Sequence, residues 1–196
     1  MSTQRRPIVV SIASPPGGGK TTLSRMISAK LHDAPILHYD DHEALTRRSP
    51  ADIERWLDAG ARLEEIPVPG YLEKLTSLKA AETAHVVVDS PLGRAHPPTA
   101  AMIDFLVFLD TPLDVALARV LRQQASLAAH SGEPGGPHKF AVWLEAYLDN
   151  YARFMRRSYV MQRAVVLPQA DLVLDGALAP DHLMELILRA LVERGF

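Results

Sequence analysis

Gly17-Gly18-Gly19-Lys20-Thr21-Thr22 is the stretch of this chain whose residue types and spacing speak most directly of chemistry. Glycines let successive backbone N–H groups turn toward one point, where they can close around phosphate oxygens. Lys20 adds a charge placed to reach the β- and γ-phosphates of a nucleotide, and the Thr21 hydroxyl is placed to ligate Mg²⁺. The apolar run Ile8-Val9-Val10-Ser11-Ile12-Ala13 before the loop reads as a strand. After it, Leu23, Met26, Ile27 and Leu31 fall on one face of a helix. The N-terminus of that helix adds its orphan N–H groups and positive dipole end at the same point. The pattern departs from G-x-x-x-x-G-K-[ST] at its first glycine, where Ser14 stands, and Pro15 and Pro16 supply no N–H. The donors from Gly17 to Thr21 remain. A dinucleotide loop is not expected, because no G-x-G-x-x-G is present. The expectation is a nucleoside-triphosphate site.

Phosphoryl transfer to a hydroxyl also needs a group that orients the attacking oxygen and takes its proton. Tyr39-Asp40-Asp41-His42-Glu43 follows a short strand, Pro35-Ile36-Leu37-His38, and ligands in parallel α/β sheets sit beyond the carboxyl ends of strands. Asp40 is the first choice for that role and Asp41 the second; each also suits an ordinary turn or helix cap. A structural zinc site from His38 and His42 is not expected, since they straddle a strand boundary and lack assured helical spacing. Asp89 ends the buried strand His85-Val86-Val87-Val88 and can help hold Mg²⁺ through water, or cap the Ser90-Pro91 turn. Tyr71 either contacts substrate or packs, and Arg94 is placed to meet an anion or an acidic partner. Arg119 and Arg122, three apart on one helix, either clamp the transferring phosphates or form a solvated basic edge.

The elements that must position these residues alternate between strand and helix. Ser49-Pro50 through Gly60 has the cap, first-turn proline and terminal glycine of a helix, with Ile53, Trp56 and Leu57 as its buried stripe. Ile66-Pro67-Val68-Pro69-Gly70-Tyr71 reads as an extended loop over the substrate side, because its prolines forbid a central strand. Phe105-Leu106-Val107-Phe108-Leu109 is apolar throughout, as a sheet covered on both faces requires. Thr111-Pro112-Leu113-Asp114 opens a helix carrying Leu113, Leu117, Val120 and Leu121. About residues 123–139, the Gly/Pro-rich run reads as a flexible lid-like segment. A long helix from about Phe140 to Tyr159 follows, expected to bury Leu144, Tyr147, Leu148, Tyr151 and Met155. Ala170-Asp171-Leu172-Val173-Leu174 is the last strand, and Pro180 to Arg194 a closing amphipathic helix.

At 196 residues the chain reads as a single domain, residues 1–196, with enough apolar content (47%) to bury a full core. A net charge of −2 offers no basic field for nucleic acid, and the absence of cysteine excludes disulfides, thiolate metal sites and a cysteine nucleophile. The apolar run after the polar residues 1–7 is too short for a signal peptide core or a membrane span. A cytoplasmic location without membrane or nucleic-acid partners is therefore expected; self-association stays open.

The order of these motifs resembles the uridine kinase branch of P-loop kinases, which includes nicotinamide riboside kinase and phosphoribulokinase. The residues that carry it are the phosphate loop, Leu37-His38-Tyr39-Asp40-Asp41, Ile66-Pro67-Val68, Val86-Val87-Val88-Asp89, Leu109-Asp110-Thr111-Pro112 through Arg119 and Arg122, and Leu167-Pro168 with Ala170-Asp171. The resemblance implies a P-loop NTPase α/β fold of three layers (α/β/α), with a five-stranded parallel sheet in the order 2-3-1-4-5. It implies ATP and Mg²⁺, Asp40 as base, Asp89 assisting Mg²⁺, and Arg119 and Arg122 on phosphates. Two departures stand out. Leu72-Glu73-Lys74-Leu75-Thr76-Ser77 occupies the place where uridine kinases carry a nucleoside-reading histidine and arginine, and the Arg-Gly-Arg of their lid is replaced by the Gly/Pro run. The expected activity is ATP-dependent transfer of the γ-phosphoryl group to a hydroxyl of a small metabolite, a nucleoside first. The alternative is a P-loop switch or ATPase without a small acceptor.

Overall fold

In the computed structural model, which describes residues 6–130 and 136–196, every strand of the sheet runs parallel to its neighbours, in the order β2-β3-β1-β4-β5. The strands are β1 (Ile8–Ala13), β2 (Ile36–His38), β3 (His85–Asp89), β4 (Phe105–Leu109) and β5 (Leu172–Leu174). This is the expected P-loop NTPase topology. Register aligns Ile12 with Asp89 and Asp89 with His38, while Ala13 sits opposite Phe108. The carboxyl ends of the four central and flanking strands therefore finish along one edge, and the candidate residues emerge there.

Alternation along the strands sends successive side chains to opposite faces, and each face builds its own core. Val10, Ile12, Val87, Phe105 and Val107 pack against Leu23 and Ile27 of α1 (Lys20–Lys30) and Leu183, Ile187 and Leu191 of α8 (Pro180–Glu193). Val9, Ala13, Val86, Val88, Leu106 and Phe108 face the other way. That second core takes in α2 (Pro50–Asp58), α3 (Tyr71–Lys79), the short α4 (Pro97–Ala100) and the C-terminal half of a long helical run. The cap on α2 is as expected: Ser49 Oγ accepts the Asp52 N–H at 3.2 Å, with Pro50 in the first turn.

Three stretches differ from the sequence reading. The residues after Gly70 form helix α3, because Gly70 adopts φ +74° and releases the chain from the Pro67/Pro69 segment into a helix that buries Tyr71 and Leu75. Helix α5 (Leu113–His130) extends through 123–130, and α6 (Gly136–Asn150) begins at 136. Within the expected lid, only residues 131–135 lie outside the described residues; its flanks are helical. The long helix continues past Tyr159: a π-helical turn (Tyr151–Met155) leads into α7 (Arg156–Val166). That turn shifts the helical phase, and α6 accordingly buries none of the expected Leu144, Tyr147 or Leu148. Instead Phe140, Trp143 and Tyr147 stack along it, with ring centroids 5.8 and 4.8 Å apart. Among the described residues no helix is long and apolar enough to cross a membrane.

Candidate active site

Leaving β1, the chain reverses through Ser14-Pro15-Pro16 and enters the glycines. The Gly18 N–H closes the turn on Pro15 O at 2.9 Å, and Ser14, buried where the motif carries glycine, donates its Oγ to Pro15 O at 3.0 Å. Gly17 and Gly19 have φ of +78° and +100°, which only glycine adopts without strain. Gly17 also seats the loop directly on α5, where an added Cβ would lie 2.2 Å from the Ala116 carbonyl oxygen. Thr111, at the foot of α5, donates its hydroxyl to Gly18 O at 3.0 Å.

Helix α1 starts at Lys20 behind Gly19, with no side chain capping its first N–H groups. Those donors, from Lys20, Thr21 and Thr22, are the ones an anion would satisfy. Lys20 is 7% exposed, and its ammonium stands 3.9 Å from Asp40 Oδ2, too far for a hydrogen bond. A nearly buried ammonium at that distance from its carboxylate is one that an anion on the loop N–H groups would satisfy. Arg119 arrives from α5: its Nη1 donates to Gly176 O at 2.9 Å, 3.9 Å from where a Gly19 Cβ would stand. Arg122, one turn on, is exposed.

Asp40 comes from the 3₁₀ turn Tyr39–Asp41 that ends β2, and its side chain is 69% exposed at the rim of a cavity. Asp41, the next residue, is exposed and lines no part of that cavity. Asp89 is 4% exposed; its Oδ2 accepts from His38 Nδ1 at 3.0 Å, while Oδ1 is buried with no partner. A buried carboxylate with one orphaned oxygen, one strand from a loop carrying Thr21, fits a hard cation that takes oxygen ligands. Among the described residues no group of three or more His, Asp or Glu forms a protein-only metal cage. His38, weighed in the sequence only as a zinc ligand, is a positioning partner of Asp89.

Two expected substrate contacts are corrected. Tyr71 is 2% exposed and packs edge-on against Tyr39 and His96, at 5.5 and 5.9 Å between centroids. Burial pushes its hydroxyl far above the usual tyrosine range despite a hydrogen bond with Ser90. Arg94 is a fastener at the opposite end of β4: it donates to the carbonyls of Ile103, Asp104 and Gln169 and to Asp171 Oδ2 at 2.6 Å. These bonds use its whole donor fork, so it holds the chain before β5 against β4 rather than an anion.

The sequence did not disclose the cavity beside Asp40. It measures about 350 Å³ and lies between α2, the turn Leu45–Arg47 and the π-turn with α7. Ile53 and Trp56 form one wall, Phe154, Met155 and Met161 another, and Leu45 and Leu92 close the ends. Its outer edge is latched by two ion pairs at matching four-residue spacings, Arg153 to Glu54 at 2.8 Å and Arg157 to Asp58 at 2.7 Å.

Solved structures share this fold at low sequence identity. A shikimate kinase from Aquifex aeolicus matches with a TM-score of 0.53 and 17% identity, over 96% of this chain and 98% of its own. A gluconokinase from Sinorhizobium meliloti 1021 matches at 0.54 and 15%, over 96% and 94%. TT1252 from Thermus thermophilus matches at 0.57 and 17%, over 97% and 98%. No family model and no curated protein matches the sequence. The fold is that of P-loop kinases. The uridine kinase branch in particular is not singled out by these neighbours.

Proposed function

We propose that this protein is an ATP-dependent phosphotransferase that moves the γ-phosphoryl group to a hydroxyl of a small molecule. The observation that carries the reading is the pairing of two compartments. A glycine loop with the buried Lys20 stands on one side, and an apolar cavity with Asp40 at its rim on the other, with 3.9 Å between the two charged groups. A nucleotide switch needs the first compartment alone. Two of the structural neighbours carry the names shikimate kinase and gluconokinase, and a kinase of that kind is the reading they support.

In the proposed reaction the N–H groups from Gly17 to Thr22 hold the β- and γ-phosphates, and Lys20 neutralises the charge that develops between them. Asp40 orients the acceptor O–H and takes its proton as the oxygen attacks the γ-phosphorus. The bond from that phosphorus to the β–γ bridging oxygen breaks, ADP leaves with both electrons, and the acceptor departs as its phosphate ester. Thr21 and Asp89, the latter steadied by His38, would hold Mg²⁺, whose chemistry is charge neutralisation on the phosphate oxygens. Arg119, fixed beside Gly19, supports the same oxygens; Arg122 has the reach to join it from the next turn. A nucleoside is the narrower acceptor that the sequence resemblance implies.

Coupled ADP release from Mg²⁺-ATP over a panel of nucleosides, sugars, sugar acids and simple alcohols tests the reading, with Lys20→Ala as blank. Stimulation by an acceptor supports phosphotransfer. ATP binding without stimulation by any class would favour a switch or ATPase.

A further inference from the structure

We infer that the acceptor taken by the Asp40 cavity is an uncharged alcohol with an apolar body, not a sugar acid, a phosphorylated sugar or a polyol. This deepens the phosphotransfer reading above and rests on it for the reaction, but not for the binding.

The walls carry the argument. Among the described residues no lysine, arginine or histidine lines the cavity. A carboxylate or phosphate on the acceptor would therefore lose its hydration with no cation to receive it, next to Asp40 and Glu43. Two arginines beside the walls, Arg153 and Arg157, are turned outward onto Glu54 and Asp58. Lys20, 3.9 Å from Asp40, belongs to the phosphate loop.

Of the polar groups that line the cavity, Glu43, Thr46, Gln162 and Tyr159 are engaged with protein partners, and the Tyr39 hydroxyl is buried without one. Glu43 accepts from the Leu45 and Thr46 N–H groups at 2.8 and 3.2 Å and from the Thr46 hydroxyl, so it caps a turn. Gln162 Nε2 donates to Pro91 O. The Tyr159 hydroxyl is bonded with Tyr147, and burial pushes it far above its usual range, so it stays protonated and engaged. A polyol needs a partner for each hydroxyl, and these walls have few to give. What they offer is Ile53, Trp56, Leu63, Phe154 and Met161, with the Asp40 carboxylate at one end where a single hydroxyl would sit. At the packing density of protein interiors the volume suits a body of about a dozen non-hydrogen atoms.

The test uses the full-length protein carrying Trp143→Phe, which leaves Trp56 as the single tryptophan of the two in the chain. Trp56 emission is titrated with 3-phenylpropan-1-ol, its acid 3-phenylpropanoate, gluconate and uridine, and ADP release from Mg²⁺-ATP is followed in parallel. The alcohol is expected to shift the emission and bind at least about tenfold tighter than the acid. Leu45→Arg, on the half-exposed turn at the cavity end, should invert that preference, with an unchanged melting temperature showing that the fold is intact. Alcohol binding with ADP release supports both the ligand class and phosphotransfer. Alcohol binding without ADP release supports the ligand class and overturns phosphotransfer. Turnover of gluconate or uridine, with the alcohol ignored, overturns the inference and leaves phosphotransfer standing. No emission change with any alcohol overturns it as well.

Discussion

Lys20 Nζ and Asp40 Oδ2 lie 3.9 Å apart, one nearly buried at the start of α1 and the other exposed at the end of β2. The gap is wider than a hydrogen bond and narrower than a Debye length, so each charge feels the other without being neutralised by it.

Lys20→Ala is expected to cut turnover by roughly 10³-fold or more, through loss of charge stabilisation on the transferred group. Asp40→Asn should bind nucleotide normally and slow transfer by about 10²–10⁴-fold, the range of a lost general base. Calorimetric ATP binding alongside single-turnover rates separates the two, and full transfer by the Asn variant would remove Asp40 from the base role.

Gly17→Ala forces a Cβ to within 2.2 Å of Ala116 O at φ +78°. Strain of this kind costs about 1–3 kcal/mol, which lowers Tm by roughly 2–4 °C per kcal/mol in a domain of this size. Thermal melts with and without ATP would register it, and the stabilisation by ATP should shrink as well. An unaltered Tm would show that α5 moves aside freely.

Asp89→Asn should weaken the response to Mg²⁺ while sparing the fold, because it removes the charge from a buried oxygen that has no partner. His38→Ala should do the same more mildly, by releasing the orientation of Oδ2. Activity titrated with Mg²⁺ at fixed ATP gives both, as a raised half-saturation.

Arg94→Ala is expected to lower stability by about 2–4 kcal/mol, since Asp171 and three carbonyls all lose its hydrogen bonds. Turnover per folded molecule should hold, because Arg94 lies away from the loop and the cavity. Urea melts paired with kcat distinguish this from an anion-binding role, which would move KM instead.

Acid should expose the same fastener. Burial pushes the Asp171 carboxyl up, but the Leu106 N–H, Arg94 and Arg194 outweigh it and hold the group below the usual range. The folded value is thus below the unfolded one, so its contribution is present above the unfolded value and is lost as pH falls through the folded one. Stability should decline from about pH 4 downward, and Asp171→Asn should flatten that slope. Denaturant midpoints at stepped pH measure it. An identical slope in the variant would assign acid sensitivity to other carboxylates.

The parts of the site that the sequence disclosed are those built locally. Strand, glycine turn and helix from Ile8 to Leu23 specify the loop within one short stretch, and Asp40 and Asp89 could be placed because each ends an apolar strand. Residues whose partners are distant were misread. Arg94 closes on Gln169 and Asp171 more than seventy residues on, and Tyr71 finds its neighbours in the turn after β2 and just before α4. Helix α3 was obscured by Pro67 and Pro69, since no proline rule reveals that Gly70 turns the chain back into a helix. The cavity was invisible for a related reason. Trp56 and Ile53 satisfy a core stripe equally well whether the opposite wall touches them or stands off, and that wall follows a π-turn that carries no periodic signature.

Gly17 against Ala116 has a mechanical corollary. The loop backbone meets the α5 backbone at Ala116 there, with the Val120 side chain beside it, so a tilt of α5 is felt directly by the phosphate loop. Whatever steadies the loop also restricts the hairpin of α5 and α6, and by thermodynamic reciprocity anything that grips that hairpin must alter nucleotide affinity by the same factor. The outer arm is in this sense a lever with its fulcrum on a glycine.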